Sequence, residues 1–391
     1  MRRRVAMSAT WRVRRSPYLS ILVAVSLFGA ACTSPEQSRL EIEGNEQPAA
    51  VPAAGDVDPQ VAARLDEIVR RQHPNLRALL IGRRGRGVVE NYYGRASWET
   101  YADVQGITRT VLSMLVGIAV GEQAISDLDS TVGQLLPRHV SARTSPEVRS
   151  ITLRQLLTMT SGLAPDPPYN ASPTWRLVAD QGWVSGIVDG GTIVTPGVVL
   201  MPSSAAAHLL SAIIAESTGR PTLRYAQEKL FGPLGIAADA AFEPVISSMS
   251  AASYRRAGFA WPRDPQGYHL GFSYLKLTAL DMLKLGQLYL DAGRWRGRQI
   301  VPAGYVREST QPYASLATTA TYGYHWWLTV EQGHHGFAAR GFGGQLLYVV
   351  PDLDLVVAII CAVPVTGEPE TATSMETLIN RVVLRELDPP D

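Results

Sequence analysis

Residues 103–120 read DVQGITRTVLSMLVGIAV, and the reading of this stretch decides the fold. Ile107, Val111, Met114, Leu115 and Ile118 recur at the spacing that lines one face of a helix. The spacing predicts a helix whose first turn carries Gly106 and Arg109, three residues apart and so neighbours on its surface. A glycine and an arginine at the head of an otherwise apolar helix raise the question of what that end does.

Outward from this helix the pattern changes twice. Upstream, DPQVAARLDEIVRRQ places Val61, Leu65, Ile68 and Val69 on one face of a helix starting near Asp58. LRALLIGRRGRGVVENYYG then reads as a β-hairpin around a Gly/Arg turn. Downstream the chain is mostly helical to about residue 245. TLRQLLTM has the Thr152/Gln155 spacing of a capping box, HLLSAIIAESTG stops at Gly219, and TALDMLKLGQLYLDAG repeats the box with Thr278 and Asp281. The last third returns to strands, YGYHWWLTV, FAARGFGGQLLYVV and LDLVVAIICAV, and closes on the helix ETLINRVVLREL. This order predicts an α+β fold. The N-terminal hairpin must join the C-terminal strands, or both would leave unpaired edges. The expectation is one antiparallel sheet built from both chain ends and flanked by helices, with a mostly helical lobe inserted over about 100–255, all within a domain spanning 57–388.

Composition narrows the function. The 391 residues are 46% hydrophobic, and 36 basic against 35 acidic side chains leave a net charge of +1, which offers no electrostatic footprint for nucleic acid. Six arginines precede the apolar run YLSILVAVSLFGAA, which at about 14 residues is shorter than the ~20 of a spanning helix. Residues 1–31 therefore read as an export signal. FGAAC resembles a lipoprotein cleavage box, which would lipidate Cys32; the alternatives are a plain cleaved signal with an incidental Cys32 and an uncleaved anchor. The Arg14–Arg15 pair in RRSPYL weakly resembles a twin-arginine signal. Residues 32–56 read as a flexible tether, so contact with a membrane is expected only through this N-terminal anchor. With Cys32 lipidated, Cys361 has no disulfide partner and reads as a buried strand residue. No cofactor or metal motif is present: His334 and His335 in EQGHHG read as an exposed turn, and there is neither a GxSxG nor an HExxH run.

Several long segments in order carry a resemblance: ITLRQLLTMTSGL, HLLSAIIAESTGRPTLRYAQEKLFGPLGI, LTALDMLKLGQLYLDAGRWRGRQIVP and GFGGQLLYVVPDLDLVV. From about 57 to 388 the chain resembles the serine β-lactamase and penicillin-binding-protein superfamily, most of all its class C-like branch of esterases and 6-aminohexanoate-oligomer hydrolases. The resemblance implies a Ser-x-x-Lys at the start of the central helix, a tyrosine from the helical lobe, and a third motif on a strand across the cleft. The matching positions here are Gly106, Arg109 and Pro202, the last in PGVVLMPSSAAAHLL. Only the third motif, GFGGQ over 341–345, matches acceptably.

Glycine offers no hydroxyl, arginine stays protonated, and proline has neither hydroxyl nor N–H. The ordinary acyl-enzyme route is closed. Ser273 and Lys276 in SYLK form a literal Ser-x-x-Lys but precede the Thr278 cap and fall outside the family's site. Thr108, Ser203 and Ser204 lie near that site without a base. What the resemblance leaves is backbone: the N–H groups of Gly106 and Gln345 as a former oxyanion hole, the positive end of the helix, and Arg109. A binding site from Gly106, Arg109, Phe342, Gly343, Gly344 and Gln345 would suit a peptide or a small carboxylate, amide or ester. The expected function is a non-catalytic, extracytoplasmic binder; an esterase or amidase working through rearranged groups is the alternative. Trp326, Trp327, Tyr322, Tyr324 and Phe342 either line the cleft or pack in the core.

Overall fold

The hairpin at one end of the chain and the strands at the other complete a single sheet. The computed structural model describes residues 58–165, 182–239, 243–315, 321–364 and 369–387. The readings of residues 1–57, Cys32 included, lie outside them. The sheet strands are β1 (Leu76–Arg83), β2 (Arg86–Tyr92), β3 (Ala314–Ser315), β4 (Thr321–Tyr322), β5 (Trp327–Glu331), β6 (His334–Gly341), β7 (Gln345–Val350) and β8 (Leu355–Cys361). They lie antiparallel in the order β2-β1-β8-β7-β6-β5-β4-β3. β1 joins the C-terminal strands directly, with Leu79 opposite Ile359 and Ile81 opposite Val357.

The central strands are buried on both faces, which is why they read as apolar runs rather than alternating ones. Leu80, Leu347, Val356 and Ala358 enter one core; Leu79, Ile81, Leu346 and Val357, their neighbours, enter the other. Helix α1 (Pro59–Gln72) covers the second face with Val61, Leu65 and Val69, and Asp58 caps it by accepting from the Gln60 N–H at 2.7 Å.

The first face carries the lobe. Helix α2 (Ile107–Gly121) is the predicted central helix, starting at Gly106. Its pattern implied one apolar face, but Leu112, Val116 and Ala119 are also buried, because α2 has the sheet on one side and helical segments on another. α3 (Leu153–Leu157) and α4 (Trp183–Asp189) pack against α5 (Ser204–Thr218), which packs against α2. α6 (Ala279–Leu290) and α7 (Ala372–Ile379) follow on opposite faces of the sheet. Both capping boxes form as read, at Thr152/Gln155 and Thr278/Asp281, and α5 ends at Gly219 in the left-handed region (φ 65°).

One local reading is corrected. His334 and His335 begin β6, paired with Glu331 and Val330. Gln332 and Gly333, both at positive φ (53° and 84°), make the two-residue turn, whose mirror-image geometry matches the twist of a hairpin. No helix among the described residues is long and apolar enough to cross a membrane.

Candidate functional site

The start of α2 abuts the edge of β6. β6 pairs with β5 only as far as Ala338 opposite Trp327, while its pairing with β7 continues to Gly341 opposite Gln345. Over residues 339–341 its outer edge therefore turns to α2. A Cβ built on Gly106 would stand 2.6 Å from the Arg340 carbonyl oxygen, and one on Gly341 would stand 2.6 Å from that of Val104. Two backbones approach this closely only where neither residue carries a side chain.

Both sides of the contact are anchored. The Arg340 guanidinium donates from Nε and Nη2 to the two Glu376 carboxylate oxygens at 2.7 and 2.6 Å, tying β6 to α7 through a charge-assisted fork. On the other side Val104 N–H donates to Leu275 O at 2.9 Å. Gln105, itself at φ 53°, donates from its backbone N–H to Asp103 Oδ1 at 2.8 Å. Burial pushes the Asp103 carboxyl up to about 6, against the pull of the N–H groups of Gln105 and Tyr274.

Gln345 is the strand donor the resemblance implies, but it sits on β7, one strand further from α2. Its buried side chain donates to Cys361 O at 2.7 Å and accepts from Cys361 N–H at 3.2 Å. Residues facing Gly106 are instead Arg340 and Gly341. A motif running through a hairpin does not announce which of its two strands borders the helix. Gly343 and Gly344 (φ 80° and 87°) form the turn, where added Cβ atoms would meet Val363 and Glu370, on the C-terminal side of the sheet. Phe342 is half-buried.

Arg109 reaches across to α5, its Nη2 donating to Ser204 Oγ at 3.2 Å. Pro202 precedes Ser203, which caps α5 by accepting from Ala206 N–H at 3.3 Å and donates to Ala164 O at 2.7 Å. Ser203 is thus a cap. Thr108 is buried. Behind Arg109 lies a residue that no motif singles out: His325, fully buried at φ 60°, with Tyr322 Oη 3.2 Å from its Nδ1. Thr110 Oγ1 donates to its carbonyl at 2.8 Å. Burial, and then the Arg109 charge, push this imidazole down to about 3.

Burial decides between the two readings of the aromatics. Trp326 and Tyr324 have no exposed surface and Tyr322 is buried with them, so these three belong to the core. Trp327 is half-buried with the Arg340 guanidinium 5.1 Å from a ring centroid, a cation–π contact beside the strand edge. Lys276 is not a base for Ser273. Its ammonium donates to the carbonyls of Tyr254 (3.0 Å) and Ala257 at the end of helix Ala251–Arg256, and burial lowers its pKa. Burial also raises the Cys361 thiol far above its ordinary range. Among the described residues no group of three His, Cys, Asp or Glu side chains could hold a metal ion.

The sheet with its inserted lobe, and a helix start facing a strand edge, define the architecture of serine β-lactamases and penicillin-binding proteins. The chain belongs to the Beta-lactamase family, whose model matches residues 61–379. Among solved structures it is similar to a candidate β-lactamase from Bacteroides dorei (TM-score 0.65, 18% identity, 83% of this chain and 98% of that one). A candidate 6-aminohexanoate-dimer hydrolase from Bacillus anthracis aligns with TM-score 0.63 at 16% identity, over 89% of this chain and 88% of that one. SurE, crystallised with D-Leu, aligns at 0.58 and 20%, over 85% and 75%. No curated protein matches the chain.

Proposed function

We propose that this protein is a non-catalytic member of its family that binds a carboxylate- or peptide-like ligand at the head of α2. One observation carries the reading. The position of the family's nucleophile holds a glycine, and the Arg340 carbonyl stands 2.6 Å from where even its Cβ would be. Loss of the nucleophile alone removes on the order of 10⁶ in turnover from a serine hydrolase. The neighbouring groups offer no replacement: Arg109 is a permanent cation, Ser203 is a cap, and Ser204 is hydrogen-bonded to Arg109.

What remains suits recognition of an anion. The helix start carries partial positive charge, and Arg109 and the Ser204 hydroxyl stand beside it. Thermal shift with D-leucine and with N-acetyl-D-alanyl-D-alanine tests this, each against its carboxyl-amidated form. The acids are expected to stabilise the protein by ~2.7 kcal/mol at 100 times Kd, and the amides not to. Arg109→Gln should weaken the acids at least about tenfold, as loss of a charged hydrogen bond does. A stoichiometric penicillin or fluorophosphonate adduct on a residue at the α2 start overturns the non-catalytic reading.

The protein is further proposed to be exported and held to a membrane by lipid on Cys32. Cys32→Ala is then expected to move it from the membrane fraction to the soluble one on fractionation. Unchanged membrane association would remove the lipid anchor from the account.

A further inference from the structure

Away from the head of α2, the lobe holds a serine joined to a carboxylate by an unbroken hydrogen-bond chain. Ser185 Oγ lies 3.1 Å from His139 Nδ1, His139 Nε2 lies 2.9 Å from Tyr268 Oη, and Tyr268 Oη lies 2.7 Å from Glu216 Oε1. These residues come from α4, the single turn Pro137–His139, a loop and α5. Glu216 is twelve residues beyond Ser204, about 18 Å further along α5.

The fixed end sets the direction of every proton. A carboxylate only accepts, so Tyr268 donates its O–H to Glu216. The tyrosine oxygen then accepts from His139 Nε2–H. That tautomer leaves the Nδ1 lone pair free to accept, and Ser185 donates to it. Burial lowers the His139 pKa from its ordinary value, which keeps that lone pair available near neutral pH. Arg138 Nη1 stands 3.5 Å from the other Glu216 oxygen, so the carboxylate end of the chain has a cation beside it. The helix carrying the serine is held in place: Asp189 accepts from Thr144 Oγ1 at 2.6 Å and Ser141 Oγ at 2.8 Å, and Val184 N–H donates to Gln266 at 2.8 Å. Ser185 and His139 are half-buried rather than sealed.

We propose that Ser185 is an activated nucleophile, a reactive centre apart from the α2 head that takes acyl or phosphonyl groups from activated esters and fluorophosphonates. His139 is its base, and Tyr268 and Glu216 position the imidazole. With a fluorophosphonate, the Ser185 Oγ–P bond forms, the P–F bond breaks, fluoride leaves and the hydroxyl proton passes to His139 Nδ1. With an activated ester the Oγ–C bond forms and the alcohol departs with that proton. Ser185 chemistry is independent of binding at the α2 head, because the two involve different residues and a mapped adduct tells them apart.

The test treats the full chain with an alkyl fluorophosphonate and maps the adduct by peptide mass spectrometry. The expected result is labelling at Ser185, absent in Ser185→Ala and about a hundredfold slower in His139→Gln, the scale of a general base. Tyr268→Phe removes a single oxygen and should label at an intermediate rate; it supplies the comparison should His139→Gln fail to melt cooperatively. An unlabelled Ser185 in the wild-type protein, or an unchanged rate in either folded variant, overturns the proposal.

Discussion

Gly106→Ser is expected to destabilise the protein by roughly 1–3 kcal/mol, the range for forcing atoms into a packed interior, and to add no ester turnover to the parent's. Two effects compete at this position. Serine is a better N-cap than glycine, but only by a few tenths of a kcal/mol, and Gly106 has helical angles (φ −57°, ψ −17°) rather than the extended ones a capping side chain uses. Against this stands a 2.6 Å approach to the Arg340 carbonyl, and a backbone atom cannot swing away as a side-chain end can. Relief requires β6 to retreat, which the fork between Arg340 and Glu376 resists. The steric overlap therefore outweighs the gain in capping. The triple variant Gly106→Ser, Arg109→Lys, Pro202→Tyr restores the side chains the resemblance implies, and it too should turn over p-nitrophenyl esters no faster than the parent. Urea unfolding midpoints and ester hydrolysis measure the two effects. A serine variant as stable as the parent, or a triple variant with turnover above the parent's, would show that the helix and strand part readily.

The architecture is legible in the sequence because its determinants are local. Both capping boxes and the Gly219 stop are written in four or five consecutive residues, and each forms at those residues. That the N-terminal hairpin joins the C-terminal strands follows from edge avoidance, and the structure makes the joint between β1 and β8. The resemblance implies that Gly106, Arg109 and Pro202 stand at the family's reactive positions, and the functional groups they lack are then read directly from the sequence. What stays hidden depends on contacts between distant segments. Nothing in GFGGQ distinguishes the strand that meets α2 from its partner, so Gln345 stands in for Arg340 and Gly341. The aromatics of YGYHWW fit both a cleft wall and a core, and only the packing of Tyr289 and Phe337 against Trp326 decides for the core. Gly106 is the instructive case. The resemblance explains it as a lost serine, whereas the structure supplies a present reason for glycine: the Arg340 carbonyl leaves no room for a Cβ.

His325 should make stability steeply dependent on acid. Its imidazole is buried beside Arg109 and stays neutral in the folded protein down to about pH 3, whereas in the unfolded chain it titrates near its ordinary 6.5. Above pH 6.5 the ring is neutral in both states and its contribution is intact. As pH falls below 6.5 the unfolded chain takes up a proton that the folded protein refuses, so stability declines until pH reaches the folded value. Each unit of this window is worth about 1.4 kcal/mol, which makes the loss at pH 4.5 roughly 2–3 kcal/mol. His325→Asn isolates this contribution, because asparagine accepts the left-handed angles at this position and does not titrate there. The variant is expected to be less stable at pH 7, having given up the contact with Tyr322 and the packing of the ring. Its deficit should shrink by that same 2–3 kcal/mol at pH 4.5, since other titrating groups are shared by both proteins and cancel in the difference. Urea unfolding of both at the two pH values measures it. Parallel losses would mean that the imidazole accepts a proton in the folded state, and with it that Arg109 and the ring do not share a dry site behind the head of α2.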